Sequence, residues 1–149
     1  MNIEFTLEQF ERLLKAVYLG NWLANSIHDG SREDPFDEEL EGIEDYVFSL
    51  AKDFGLEKLI EYDKEHKRYF PTNKFDDLMQ EYIEDYDEDC FWDELFWRMS
   101  ERDFNRAYAE DEVSKMELKE IFEKEEPFRQ KWDNEIDTYG LNRLEVQER

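Results

Sequence analysis

Thr6-Leu7-Glu8-Gln9-Phe10-Glu11-Arg12-Leu13-Leu14-Lys15-Ala16-Val17 is the stretch on which the fold class turns. Thr6 followed three residues later by Gln9 is a capping box, and Phe5 and Phe10 stand where a hydrophobic staple puts its two apolar residues. Phe10, Leu13, Leu14 and Val17 then recur at helical spacing. Beyond Val17 the chain is apolar nearly all round, through Tyr18-Leu19 and Trp22-Leu23-Ala24. This predicts a central, well-covered helix ending near Gly30.

The same signals recur outward from there. Asp34-Pro35 predicts the opening of a second helix, with Phe36, Leu40, Ile43, Val47, Leu50 and Phe54 at helical spacing and Gly55 as its stop. A shorter helix is expected from Leu56 to His66. Asn73 with Asp76 starts a fourth, and an acidic corner, Asp85 to Asp89, leads to a fifth from about Cys90 to Ala109. Ser114 and Glu117 form a second capping box; Pro127 interrupts the helix behind it or begins a new one, and Phe128, Trp132, Ile136 and Tyr139 continue to a stop at Gly140. Strand alternation is confined to Ile3/Phe5 and Leu144/Val146, so the termini could pair as a short ribbon, and Gln147 to Arg149 should fray. No Gly/Ser/Pro-rich linker divides the chain. The expected fold is all-α: one domain over residues 1–149, a bundle of six or seven helices.

Composition bounds the function. Hydrophobic residues are 40% of the 149 and aromatics 16%, enough apolar volume for a packed core and unlike a disordered acidic tail. The 42 acids against 19 bases give a net charge of −23. A field of that sign repels nucleic acid and anionic lipid, and attracts cations and basic proteins. Direct nucleic-acid binding and membrane association are therefore not expected. Cys90 is the only cysteine, which fits a reducing, cytoplasmic location. The N-terminal residues have neither the basic region nor the apolar run of a secretory signal.

Chemistry-bearing patterns are few. Glu41-Gly42-Ile43-Glu44-Asp45-Tyr46 echoes Glu81-Tyr82-Ile83-Glu84-Asp85-Tyr86. Two Glu-x-x-Glu-Asp segments on neighbouring helices are what a carboxylate-held magnesium would need. All-helical nucleotide pyrophosphatases use carboxylates in this way, and the likeness stops at that spacing. The apolar stripe of the second helix, centred on Phe36, Ile43 and Val47, turns Glu41 and Asp45 away from it, so these acids should be solvated. Asp85, Asp87 and Asp89 begin like a calcium loop. Cys90 then stands where the turn glycine belongs, and Phe96 where the bidentate Glu belongs. His28 and His66 are too few for zinc. On the fifth helix Arg98, Arg102 and Arg106 form a stripe. Trp92, Leu95, Phe96 and Met99 form one apolar face there, and Trp97, Phe104 and Tyr108 another.

The reading that follows is a noncatalytic acidic interaction protein that binds a basic partner surface: an inhibitor, an immunity-like protein, a nucleic-acid mimic or a regulatory subunit. The contact is expected on two stretches without Lys or Arg, at Glu38, Glu41 and Asp45 and at Asp85, Asp87 and Glu88. No cofactor and no resident metal is expected. The alternatives are a magnesium-dependent carboxylate hydrolase and an oligomeric scaffold using exposed aromatics.

Overall fold

The computed structural model describes residues 3–145. It is 67% helical, with five α-helices and one two-stranded antiparallel sheet. The helices are α1 (Leu7–Asn25), α2 (Glu38–Ser49), α3 (Asn73–Ala107), α4 (Glu110–Val113) and α5 (Leu118–Tyr139). The strands are β1 (Ile60–Asp63) and β2 (Arg68–Pro71), and a short 3-10 turn covers Ala51–Phe54. The chain forms two compact units, Met1–Asp85 and Tyr86–Arg149.

The first unit is α1, α2, the hairpin and the N-terminal part of α3. The α1 capping box forms as the sequence implies. The Gln9 N–H donates to Thr6 Oγ1 at 3.2 Å, and the Thr6 N–H to Gln9 Oε1 at 2.9 Å. The staple closes with Phe5 and Phe10 edge to face at 6.2 Å. Helix α1 stops at Asn25, before Gly30. Gly30 instead serves the following loop, where its φ is +72° and a Cβ would lie 2.6 Å from the Phe36 ring. Phe36 thus lies ahead of α2, which opens at Asp37. The Asp37 carboxylate accepts the Glu39 and Leu40 N–H groups at 3.1 Å. This shifts the buried face of α2 from the stripe read in the sequence. Phe48 is buried, whereas Ile43 is 53% exposed. Phe10, Leu14, Phe48, Leu56, Ile60, Phe75 and Met79 make the core.

Two expectations fail in instructive ways. The helix expected from Leu56 to His66 is the β1–β2 hairpin, paired from Ile60↔Pro71 to Asp63↔Arg68. Side-chain chemistry outweighs helical spacing there. The Asp63 carboxylate accepts the Glu65 and His66 N–H groups and closes the turn, and Tyr62 and Tyr69 pack across the strands at 4.9 Å. The ribbon joining the termini does not form at Ile3, Phe5 or Leu144, which have no strand geometry. Val146 and the segment Gln147 to Arg149, expected to fray, lie outside the described residues.

The acidic corner is no corner, because Asp85 to Asp89 lies inside α3, a single 35-residue helix. Neighbouring like charges cost only about 0.2–0.5 kcal/mol per pair on a helix, and this segment holds no glycine or proline to break one. Two expected helices therefore merge and a third is the hairpin, which together bring the helix count below six.

The second unit is the rest of α3 running antiparallel to α5, with α4 in the connection. Phe104 and Trp132 are its buried apolar residues, and Phe128 packs edge to face on Phe104 at 6.2 Å. Ser114 ends α4 rather than capping α5, which opens at Glu117 without a side-chain cap. Pro127 neither interrupts α5 nor begins a new helix but lies inside it, the loss of one backbone N–H being tolerated, and Gly140 (φ +54°) ends it.

Candidate functional site

Three arrangements of polar groups stand out, and each follows from the helices that carry it. In the first unit a relay of amides crosses from the start of α2 to its middle by way of α1. The Asp37 N–H donates to Asn25 Oδ1 at 2.7 Å, Asn25 Nδ2 to Asn21 Oδ1 at 2.8 Å, and Asn21 Nδ2 to Glu44 Oε2 at 2.9 Å. Burial pushes the Glu44 carboxyl up from 4.5 to about 7, although Asn21 and the Arg68 charge pull the other way. Nearby, the Tyr18 hydroxyl donates to Asp76 at 2.6 Å and accepts from Gln80 at 3.3 Å. Burial and the Asp76 carboxylate together raise the Tyr18 pKa.

The second arrangement is centred on Asp103, whose side chain is 12% exposed. Its carboxylate accepts from Lys131 at 2.7 Å, from Trp132 Nε1 at 2.9 Å and from Arg102 at 2.8 and 3.0 Å. Burial works against the charge, but these donors prevail and hold the carboxyl at about 2. The network ties α3 to α5. It also consumes part of the arginine stripe, Arg102 and, at 3.8 Å, Arg106, while Arg98 pairs separately with Glu94 at 2.6 Å.

The third is a contrast along α3. The acids from Asp77 to Asp93 have no ion-pair partner among the described residues. Glu81, Glu84, Asp85, Asp87, Glu88 and Asp89 are all exposed, with Tyr82 and Tyr86 exposed between them. Within the second unit this row leads into an open groove of about 350 Å³. It is lined by Trp92, Asp93, Phe96 and Trp97 of α3 and by Asp133 and Ile136 of α5.

Comparison of the chain with protein-family models, with curated proteins and with solved structures finds no match.

The six residues expected to meet a partner fall into two classes. Glu38, Asp85, Asp87 and Glu88 are exposed, and Glu88 accepts the Trp92 indole N–H at 2.6 Å. Glu41 and Asp45 instead face β2. Glu41 pairs with Arg68 at 3.4 Å, and Asp45 accepts the Tyr69 N–H at 2.7 Å. These two acids fasten α2 to the hairpin rather than standing solvated, because β2 packs on the side of α2 that carries them.

The carboxylates that a magnesium site would need also separate. Glu44 turns to Asn21 of α1, while Glu81 and Glu84 are exposed on α3. Among the described residues no three His, Cys, Asp or Glu side chains group closely enough to hold a metal ion. The histidines bind locally, His28 to Asp34 at 2.6 Å and His66 to Asp63 at 2.9 Å. Phe104 is buried and Tyr108 half-buried, so of the three aromatics on the second face of the expected fifth helix only Trp97, 49% exposed, is open to a partner. Among the described residues no helix is long and apolar enough to cross a membrane.

The sequence marked Glu44 only as a candidate magnesium carboxylate, and Asp93 and Asp133 were missed. At helical spacing Asp93 falls between the Trp92/Phe96 face and the Trp97 face, which was the available signal for it. Asp133 comes from another helix and had none.

Proposed function

We propose that the protein is a noncatalytic interaction protein that binds a basic partner through its acidic surface. The observation that carries this is the unpaired row on α3. In the second unit each described arginine and lysine is spent on a local pair, as at Asp103, Glu94 and Glu125. The row from Glu81 to Asp89 is left uncompensated and exposed. Carboxylates held close together on a helix repel one another, so a cationic partner relieves a strain the fold carries by itself. An inhibitor, an immunity-like protein, a nucleic-acid mimic and a regulatory subunit all work in this way. The cytoplasm is the proposed setting, where Cys90 stays reduced.

The test is titration with a lysine- and arginine-rich peptide at rising NaCl. Binding should weaken steeply with salt. The joint reversal Asp85→Lys, Asp87→Lys, Glu88→Lys should slow association far more than Glu61→Lys with Glu65→Lys on the mixed-charge hairpin. A partner whose binding ignores both salt and the α3 reversal overturns the reading.

A further inference from the structure

We propose that the groove between α3 and α5 in the second unit is a pocket for an arginine side chain of that basic partner; this inference rests on the function proposed above. The groove joins three aromatic rings, Trp92, Phe96 and Trp97, to two carboxylates, Asp93 and Asp133. Rings alone would be an apolar depression, and acids alone a charged surface. Together they meet both demands of a guanidinium, a flat weakly hydrated face to stack and in-plane N–H groups to donate.

Asp93 and Asp133 have neither an ion pair nor a hydrogen bond among the described residues, whereas the cations near them are engaged. Lys131 is held by Asp103, and Arg129 pairs with Glu125. Arg129 also shows how the site works, for its guanidinium already lies 4.7 Å from the centre of the Trp97 ring. Two aspartates left open beside the indoles call for a cation from outside. The net charge of −23 sets a second copy of this chain against itself at such a surface and favours a basic protein. Arginine fits better than lysine because a compact, strongly hydrated ammonium gains less from stacking and cannot bridge two carboxylates in one plane.

The experiment uses the full chain with its tryptophan indoles labelled for NMR, titrated at low salt with hexa-arginine and with hexa-lysine. Hexa-arginine should bind about tenfold more tightly than hexa-lysine. It should shift the Trp92 and Trp97 indole N–H signals while leaving that of Trp22 in place. Asp93→Asn with Asp133→Asn should erase the preference for arginine, as should Trp97→Leu. The charge-matched Glu61→Gln with Glu65→Gln should keep it. Because Asp93 and Asp133 are exposed, the double Asn variant removes charge without opening the core. Equal binding of the two peptides overturns the pocket. So does unchanged binding by the groove variants while reversal at Asp85, Asp87 and Glu88 weakens it, a result that leaves the basic-partner reading standing. Failure of both peptides to bind at low salt overturns both.

Discussion

The side-chain amide of Asn21 on α1 donates to the Glu44 carboxylate on α2 across 2.9 Å, in a setting that lifts that carboxyl to about 7. The folded state therefore holds a proton that the unfolded chain, with its ordinary value of 4.5, releases earlier. The stabilising contribution is fully present below pH 4.5 and is lost as pH rises through about 7. Allowing for screening on its solvent side, the effect is on the order of 1 kcal/mol. Glu44→Gln should be more stable than the parent at pH 8 by that amount and indistinguishable near pH 4.5. Urea unfolding midpoints across this range check it, and parallel curves for the two proteins would refute it.

Asp103 works with the opposite sign. Its carboxyl is held at about 2 against an ordinary 3.8, so its contribution is present above pH 3.8 and fades as pH falls through about 2. Asp103→Ala leaves the buried Trp132 N–H without its acceptor and removes the tie to Lys131, and should cost about 1–3 kcal/mol at pH 7. The deficit should shrink on acidification. Denaturation at pH 7 and at pH 2 compares the two conditions.

Lys67 adopts a left-handed backbone, φ 55°, at the end of the hairpin turn. A side chain there is disfavoured by about 1–2 kcal/mol, while glycine loses about 0.5–1 kcal/mol of chain entropy. Lys67→Gly should therefore raise stability by about 0.5–1 kcal/mol. An unchanged or lowered melting temperature would contradict this.

Phe75 is fully buried, edge to face with Tyr18 at 6.0 Å and with Phe48 at 6.3 Å. Phe75→Ala should destabilise by about 3–5 kcal/mol. Tyr82→Ala, two turns along the same helix and half exposed, should stay within about 0.5 kcal/mol of the parent. Chemical denaturation of both variants tests whether the burial of this face of α3 gives out between Phe75 and Tyr82.

The melting temperature should rise from low to moderate NaCl. At 0.1 M salt screening acts over about 10 Å, which covers neighbouring carboxylates on the Glu81–Asp89 row. A steady fall over the same range would mean that ion pairs such as those at Asp103 outweigh the repulsion.

The parts of the fold legible in sequence were those governed by local chemistry. Thr6 and Gln9 cap α1 because both partners of the box lie within four residues. Gly140 ends α5 because a positive φ is a property of one residue. Phe10 and Leu14 entered the core as their spacing implied, whereas Phe48 lies off the stripe read on the second helix. What escaped depends on distant partners. Ile60 and Tyr62 read equally well as a helix until Tyr69 is known to lie opposite. Glu41 and Asp45 look solvated until the hairpin is placed against them. The long α3 escaped for a different reason: a run of acids resembles a loop, yet repulsion between side chains is weaker than the backbone ladder it would have to break. Of the acids expected at the partner surface, those on α3 are free because that helix has no cations between Lys74 and Arg98.

Pro127 lies in the interior of α5 and has no N–H to give the Glu123 carbonyl, so the helix is missing a rung one turn from its middle. The turns before it also start at Glu117 without a cap, and they carry Leu118 and Phe122 exposed. The turns after it are pinned through Phe128 and Trp132. Local opening should therefore begin at the front of α5 and halt at the proline, so that amide deuteration runs ahead over residues 118–126. Lys119 and Lys124 stand in that stretch, and limited trypsin digestion should make its first cuts there.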